Sequence, residues 1–132
     1  MERTYTTPRL DKLGIRPRAR VAILGVEDPD FLEELRERTD DVTFGQPKPD
    51  TDIVLLAADS STDLAGLPAL AKLIRPAGGI WIVSRKGRDA TIRDVEVMAA
   101  GKAAGLIDNK VASFSPTHTS LRLVIPLAAR PR

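Results

Sequence analysis

The sequence predicts an α/β fold of three layers. Helices cover both faces of a mostly parallel sheet, and a C-terminal antiparallel hairpin closes it. Three observations carry this. Apolar runs without alternation, at Val21–Leu24, Ile53–Ala58 and Ile80–Ser84, suit strands covered on both faces. Segments of helical period separate those runs, which calls for parallel pairing with right-handed crossovers. Two extended segments, 106–114 and 120–127, meet across the polar stretch "SPTHTS", the pattern of a hairpin.

Each element has a local reason. Thr7 before Pro8 reads as an N-cap with proline at the first helical position, and Gly14 ends the short helix that follows. After the first strand, Asp28 is placed to cap a helix that opens on Pro29. Phe31, Leu32 and Leu35 share one face of it and its other face is acidic. Val42–Phe44 is a short strand, expected at the sheet edge. Asp59, Ser60 and Ser61 are expected to cap a helix whose face runs through Leu64, Leu67, Leu70, Ala71 and Ile74. Pro68 kinks that helix or delays its start, and "RPAGG" ends it. After the third buried strand, Asp89 or Thr91 caps a last helix with the stripe Ile92, Val95, Met98, Ala99 and Ala103, stopped by Gly105.

The 132 residues suffice for one domain, 1–132, with a core of its own. A net charge of +2 demands no strongly charged partner. Charge is nevertheless uneven: residues 1–20 hold six basic and two acidic groups, and residues 27–41 hold eight acidic and two basic ones. Solvated faces explain such runs, and so does a basic arm meeting an acidic helix. No cysteine is present, which removes disulfides and thiolate chemistry and fits a cytoplasmic location. The longest apolar run is six residues, against the roughly 20 needed to span a bilayer, so no membrane contact is expected. Aromatic residues make up 4% of the chain and offer no stacking platform, so no nucleic acid is expected as partner. His118 is the only histidine and reads as a surface residue of the hairpin loop; no metal site is expected.

The order of elements, with its closing hairpin, resembles the Rossmann-like fold of S-adenosylmethionine-dependent methyltransferases in minimal form, a resemblance that implies a strand order of about 2-1-3-4-6-5. The segments "LDKLGIRP", "LAKLIRPAGGIWIVSRKG", "AAGLIDNKVASFS" and "SLRLVIP" resemble a small bacterial family of uncharacterised proteins of about this length. That resemblance runs from about Thr7 to Pro126 and implies the fold, with no activity attached. The family pattern has aromatic or acidic residues near the positions held here by Ser84, Ser115, Pro116 and His118, and the chain departs from it there.

A cofactor site of the methyltransferase kind needs small residues after the first strand and an acid after the second. Gly25 is followed instead by Val26, Glu27, Asp28 and Pro29, with no G-x-G spacing, and Gly45 and Gln46 stand where the second acid is needed. Bulky side chains are expected to crowd the bend, and its carboxylates to oppose the cofactor's own. The expectation is therefore no cofactor. A ligand would meet the carboxyl edge of the sheet, where the candidate residues are Gly25, Glu27, Asp59, Ser84 and Lys86, beside Arg85. Helix capping accounts for Asp28 and Asp59 equally well. The sequence thus reads as a non-catalytic binding or protein-interaction domain on a degenerate methyltransferase-like fold. The alternative is an enzyme that binds S-adenosylmethionine or a nucleoside by an atypical turn. Apolar residues of the terminal hairpin, close to a sheet edge, admit a homodimer or a protein partner.

Overall fold

In a computed structural model of the protein, which describes residues 7–130, the six strands form one sheet in the order β2-β1-β3-β4-β6-β5. The strands are β1 (Val21–Leu24), β2 (Val42–Phe44), β3 (Thr51–Ala57), β4 (Ile74–Arg85), β5 (Ile107–Ser113) and β6 (His118–Val124). The helices are α1 (Arg9–Lys12), α2 (Pro29–Arg38), α3 (Leu67–Ala71) and α4 (Asp94–Ala103). Pairing is parallel from β2 to β4 and antiparallel for β4–β6 and β6–β5. The predicted order and the antiparallel closure are both observed.

Alternation along each central strand divides the core in two. One face carries Ile23, Leu55, Trp81 and Val83, packed on Leu10 and Leu13 of α1 and on Phe31 and Leu35 of α2. The other carries Ala22, Val54, Ile80 and Ile82, packed on Leu67 and Leu70 of α3 and Val97 of α4. Trp81 is fully buried, and its indole N–H donates to the Leu13 carbonyl at 2.9 Å. A buried indole needs such an acceptor, so this bond fixes α1 on the sheet.

The charge runs meet inside the molecule. Arg9 of α1 pairs with Glu34 of α2 at 2.6 Å and with Asp28 at 3.3 Å, and Arg38 pairs with Asp11 at 3.0 Å. Asp28 caps α2 as expected, its Oδ1 accepting from the Phe31 N–H at 3.0 Å with Pro29 at the start of the helix.

Several elements differ from the sequence expectation. The helix expected to run through Ile74 is broken into a 3-10 turn, Ser61–Leu64, and the five-residue α3. Pro68 sits in the first turn of α3, where a missing N–H costs nothing, so it delays the start of the helix. Asp59 does not cap through its side chain; the Asp63 carboxylate instead accepts the N–H groups of Asp59 and Ser60. "RPAGG" does not end a helix. It is the first half of the twelve-residue β4, and a Cβ at Gly78 would lie 2.6 Å from the Asp52 carbonyl. Those glycines let β4 pass close to β3, where the register between Thr51 and Ile53 shifts.

The last helix starts later than either Asp89 or Thr91 suggests. Its N-cap is Arg93, whose N–H donates to Glu96 Oε1 at 3.0 Å. Within it Val97 and Gly101 are buried, while Val95, Ala99 and Ala103 are exposed. At the first helix, Pro8 holds the N-cap position expected of Thr7. The hairpin loop is shorter than six residues, and His118 begins β6.

Candidate functional site

Strand order reverses between β1 and β3, and ligands of open α/β sheets bind outside the carboxyl ends of the strands at that point. A cavity of about 400 Å³ opens there. That volume lies within the range of small-molecule sites.

Its floor is the bend after β1. Gly25 has φ +80°, a conformation that glycine takes without strain, and a Cβ there would stand 3.3 Å from that of Ala57. Val26 turns into the core and is 7% exposed. The residues after Gly25 nevertheless reach the cavity: Val26, Glu27, Asp28 and Pro29 all line it, together with Asp59.

The walls set acids against bases. Asp59 Oδ1 lies 3.7 Å from Arg85 Nε. Asp28 is committed on both oxygens, to the Phe31 N–H and to Arg9. Glu27 is exposed and makes no hydrogen bond or ion pair among the described residues. On the far side, His118 Nδ1 lies 2.8 Å from Thr117 Oγ1, and the Ser115 hydroxyl accepts the N–H groups of Thr117 and His118.

Of the residues singled out from the sequence, Gly25, Glu27 and Asp59 come together at this cavity, with Arg85 beside them. Ser84 and Lys86 do not line it. Ser84 is buried and alternates to the opposite face from Val83 and Arg85. Lys86 turns to the hairpin, its Nζ donating to Ser113 Oγ at 2.9 Å. Sequence reasoning missed the contribution of the hairpin loop: Phe114, Ser115, Thr117 and His118 all line the cavity. The signal was present in the strand order. An antiparallel β6 beside β4 brings its first residue to the carboxyl end of β4, and His118 pairs with Arg85.

Arg9 holds that loop in place. Its Nη1 donates to the Phe114 carbonyl at 2.8 Å, and its guanidinium stands 5.2 Å and 5.1 Å from the ring centroids of Phe31 and Phe114. Burial alone would lower its pKa, but the bonds to Glu34 and Asp28 outweigh burial and raise it. Among the described residues no group of three histidine, cysteine, aspartate or glutamate side chains could hold a metal ion. No helix among them is long and apolar enough to cross a membrane.

The architecture is shared with known methyltransferases. A SAM-dependent methyltransferase from Aquifex aeolicus is similar at a TM-score of 0.63 and 15% identity, over 89% of this chain and 87% of that one. A chain of the complex built around the Haloferax volcanii Trm112 methyltransferase activator gives 0.62 and 15%, over 89% and 86%. The O-methyltransferase NcsB1 of neocarzinostatin biosynthesis, bound to S-adenosylmethionine and a naphthoic acid, gives 0.64 and 14%. That match covers 89% of this chain and 51% of the enzyme, so this chain spans about half of its length. At these identities the likeness is one of fold. No family model and no curated protein matches the chain.

Proposed function

We propose that this chain is a non-catalytic binding domain on a methyltransferase-like scaffold, and that its cavity beside Gly25 takes a small polar ligand bearing amine or hydroxyl donors. The carboxylate of Glu27 at the bend, which has no partner among the described residues, carries this reading. On a methyltransferase-like scaffold, the turn after the first strand is where the amino-acid end of S-adenosylmethionine would approach, so this carboxylate would oppose the cofactor's own. Asp59 adds a second negative charge, so a carboxylate-bearing cofactor would be repelled and a donor-rich ligand welcomed. Arg85, next to Asp59, and His118 on the far side suit a ligand with an acceptor at its other end.

A thermal-shift screen tests this. S-adenosylmethionine and S-adenosylhomocysteine are expected to leave the melting temperature unchanged. Amine- and polyol-bearing ligands are expected to raise it, with the gain lost in Glu27→Gln. A specific ligand at a hundredfold excess over its Kd stabilises by about 2.7 kcal/mol, well within detection. A clear shift with S-adenosylhomocysteine would reverse the reading.

One observation favours a second reading, an atypical nucleoside-binding enzyme. Phe44, at the carboxyl end of β2, is 62% exposed and lines a shallow cleft with Gly25, Glu27 and Gly45. An exposed ring beside the bend can stack a purine. Adenosine binding that disappears in Phe44→Ala would support it.

Self-association through β5 belongs to the same proposal. β5 is an edge strand with Ile107 and Val111 exposed. Two copies paired antiparallel about Asn109 would set Asp108 against Lys110 and Ile107 against Val111, so the strand complements itself. A monomeric mass by light scattering at high concentration would remove this element.

A further inference from the structure

A second cleft, of about 570 Å³, opens at the opposite end of the sheet, near the amino ends of β1, β3 and β4. Four arginines line it, Arg16, Arg18, Arg75 and Arg122, with one acid, Asp52. That acid is already engaged: its Oδ1 takes Arg75 at 2.8 Å and its Oδ2 takes the Arg20 N–H at 2.8 Å. Among the described residues Arg16, Arg18 and Arg122 form no ion pair.

Arg122 is the unusual member. It projects from β6 across Gly79, where a Cβ would come within 2.6 Å of its Nε. That Nε is buried and meets no acceptor among the described residues. Burial, and then the like charge of Arg130, lower the pKa of this guanidinium. A partly desolvated cation without a counter-charge is costly; the missing Cβ of Gly79 makes room for the guanidinium itself, and Gly78 lines the cleft. Arg18 adds a second anomaly. The turn from Arg16 to Ala19 has Pro17 at its second position and Arg18 at its third with φ +66°, a place that glycine fills without strain. An arginine kept there directs a charge to the cleft at a conformational cost.

We infer that this arginine cleft binds the phosphoryl dianion of a small phosphorylated molecule, with Arg122 beneath the anion and Arg16 and Arg18 closing over it. Guanidinium groups pair with phosphate oxygens through parallel charge-assisted hydrogen bonds, and the anion supplies the counter-charge that the cleft lacks. The site is separate from the cavity beside Gly25 and does not depend on what that cavity holds.

The test is a melting series at constant ionic strength with inorganic phosphate and pyrophosphate as probes and chloride as control. The proposal expects a saturable rise in melting temperature with pyrophosphate. It expects binding weaker by about tenfold or more in Arg122→Met, roughly one charge-assisted hydrogen bond. Without any anion, Arg122→Met is expected to melt above the parent, because an uncompensated charge has been removed. The double variant Arg16→Ala/Arg18→Gly alters only exposed positions and relieves the turn, so it provides a folded protein in which the pyrophosphate shift should also be lost. A shift no larger than that of chloride, or one undiminished in both variants, would overturn the proposal. So would a short single-stranded RNA that binds while pyrophosphate neither binds nor competes, since the anion would then be a nucleic-acid backbone.

Discussion

Arg9 connects more of the molecule than any other single side chain described above. It joins α1 to α2 through Glu34 and Asp28, holds the hairpin loop by the Phe114 carbonyl, and lies against two rings whose centroids are 4.9 Å apart. Arg9→Met keeps the apolar stem and removes every one of those polar contacts. The expected cost is about 2–3 kcal/mol by urea denaturation, less than for a wholly buried pair because Glu34 is partly solvated. The pH dependence has a definite sign. The folded pKa of Arg9 is raised, so its stabilisation is fully present below the unfolded value and is lost only as pH climbs past the folded one, at the alkaline extreme. The loss measured for Arg9→Met should therefore be the same at about pH 6 and about pH 9. A loss that vanished within that window would contradict a guanidinium that stays charged throughout it. The sequence showed opposite charge runs, but it did not pair Arg9 with Glu34, because such pairing depends on how α1 lies across α2.

At the scale of elements, β4 and α4 show where a sequence pattern gives way to packing. "RPAGG" has the residues of a helix stop, yet it forms strand because β3 offers its edge and the glycines allow the close approach. Gly78→Ala would drive a Cβ into the Asp52 carbonyl, a rigid backbone atom, and should cost more than about 3 kcal/mol or prevent folding. Gly66→Ala meets nothing within 4 Å and should be neutral within about 0.5 kcal/mol, which makes it the control. Chemical denaturation of the two variants measures the contrast. In α4, Gly101 faces Leu123 Cδ2 at a would-be 2.8 Å, so the helix sits close on β6. Here alanine's propensity gain of about 1 kcal/mol opposes the overpacking of a side chain that is itself fully buried, and the net effect should be a loss. Of the stripe chosen from sequence, Ile92 is buried and Met98 packs against the core, while Val95, Ala99 and Ala103 are exposed and Val97 and Gly101 face inward instead. Asp89 and Thr91 are acceptable caps, and nothing in the sequence ranks them below Arg93 with its Glu96 partner. The central strands, in contrast, were plain in the sequence, since a run buried on both faces leaves little else for four or five consecutive apolar residues to do.

For the whole molecule, the strand order decides what reaches the site. The methyltransferase resemblance seen in the element order and closing hairpin already implied β2-β1-β3-β4-β6-β5, and with it the place of the cavity at the β1/β3 reversal. The part of the cavity's wall that the hairpin supplies was not foreseen, because the hairpin loop lies far along the chain from Gly25 and joins it only through the antiparallel register of β6 on β4. The same register carries Arg122 to the opposite end of the sheet, beside Gly79. The six-stranded fold resembles that of methyltransferases, and on the proposed reading Glu27 and Asp59, which line the cavity at the β1/β3 reversal, disfavour a carboxylate-bearing cofactor. Calorimetric titration of S-adenosylhomocysteine into the purified protein tests that claim most directly. The account predicts no heat beyond dilution at millimolar ligand. Saturable one-to-one binding, unchanged or weakened when Glu27 is replaced by glutamine, would contradict it.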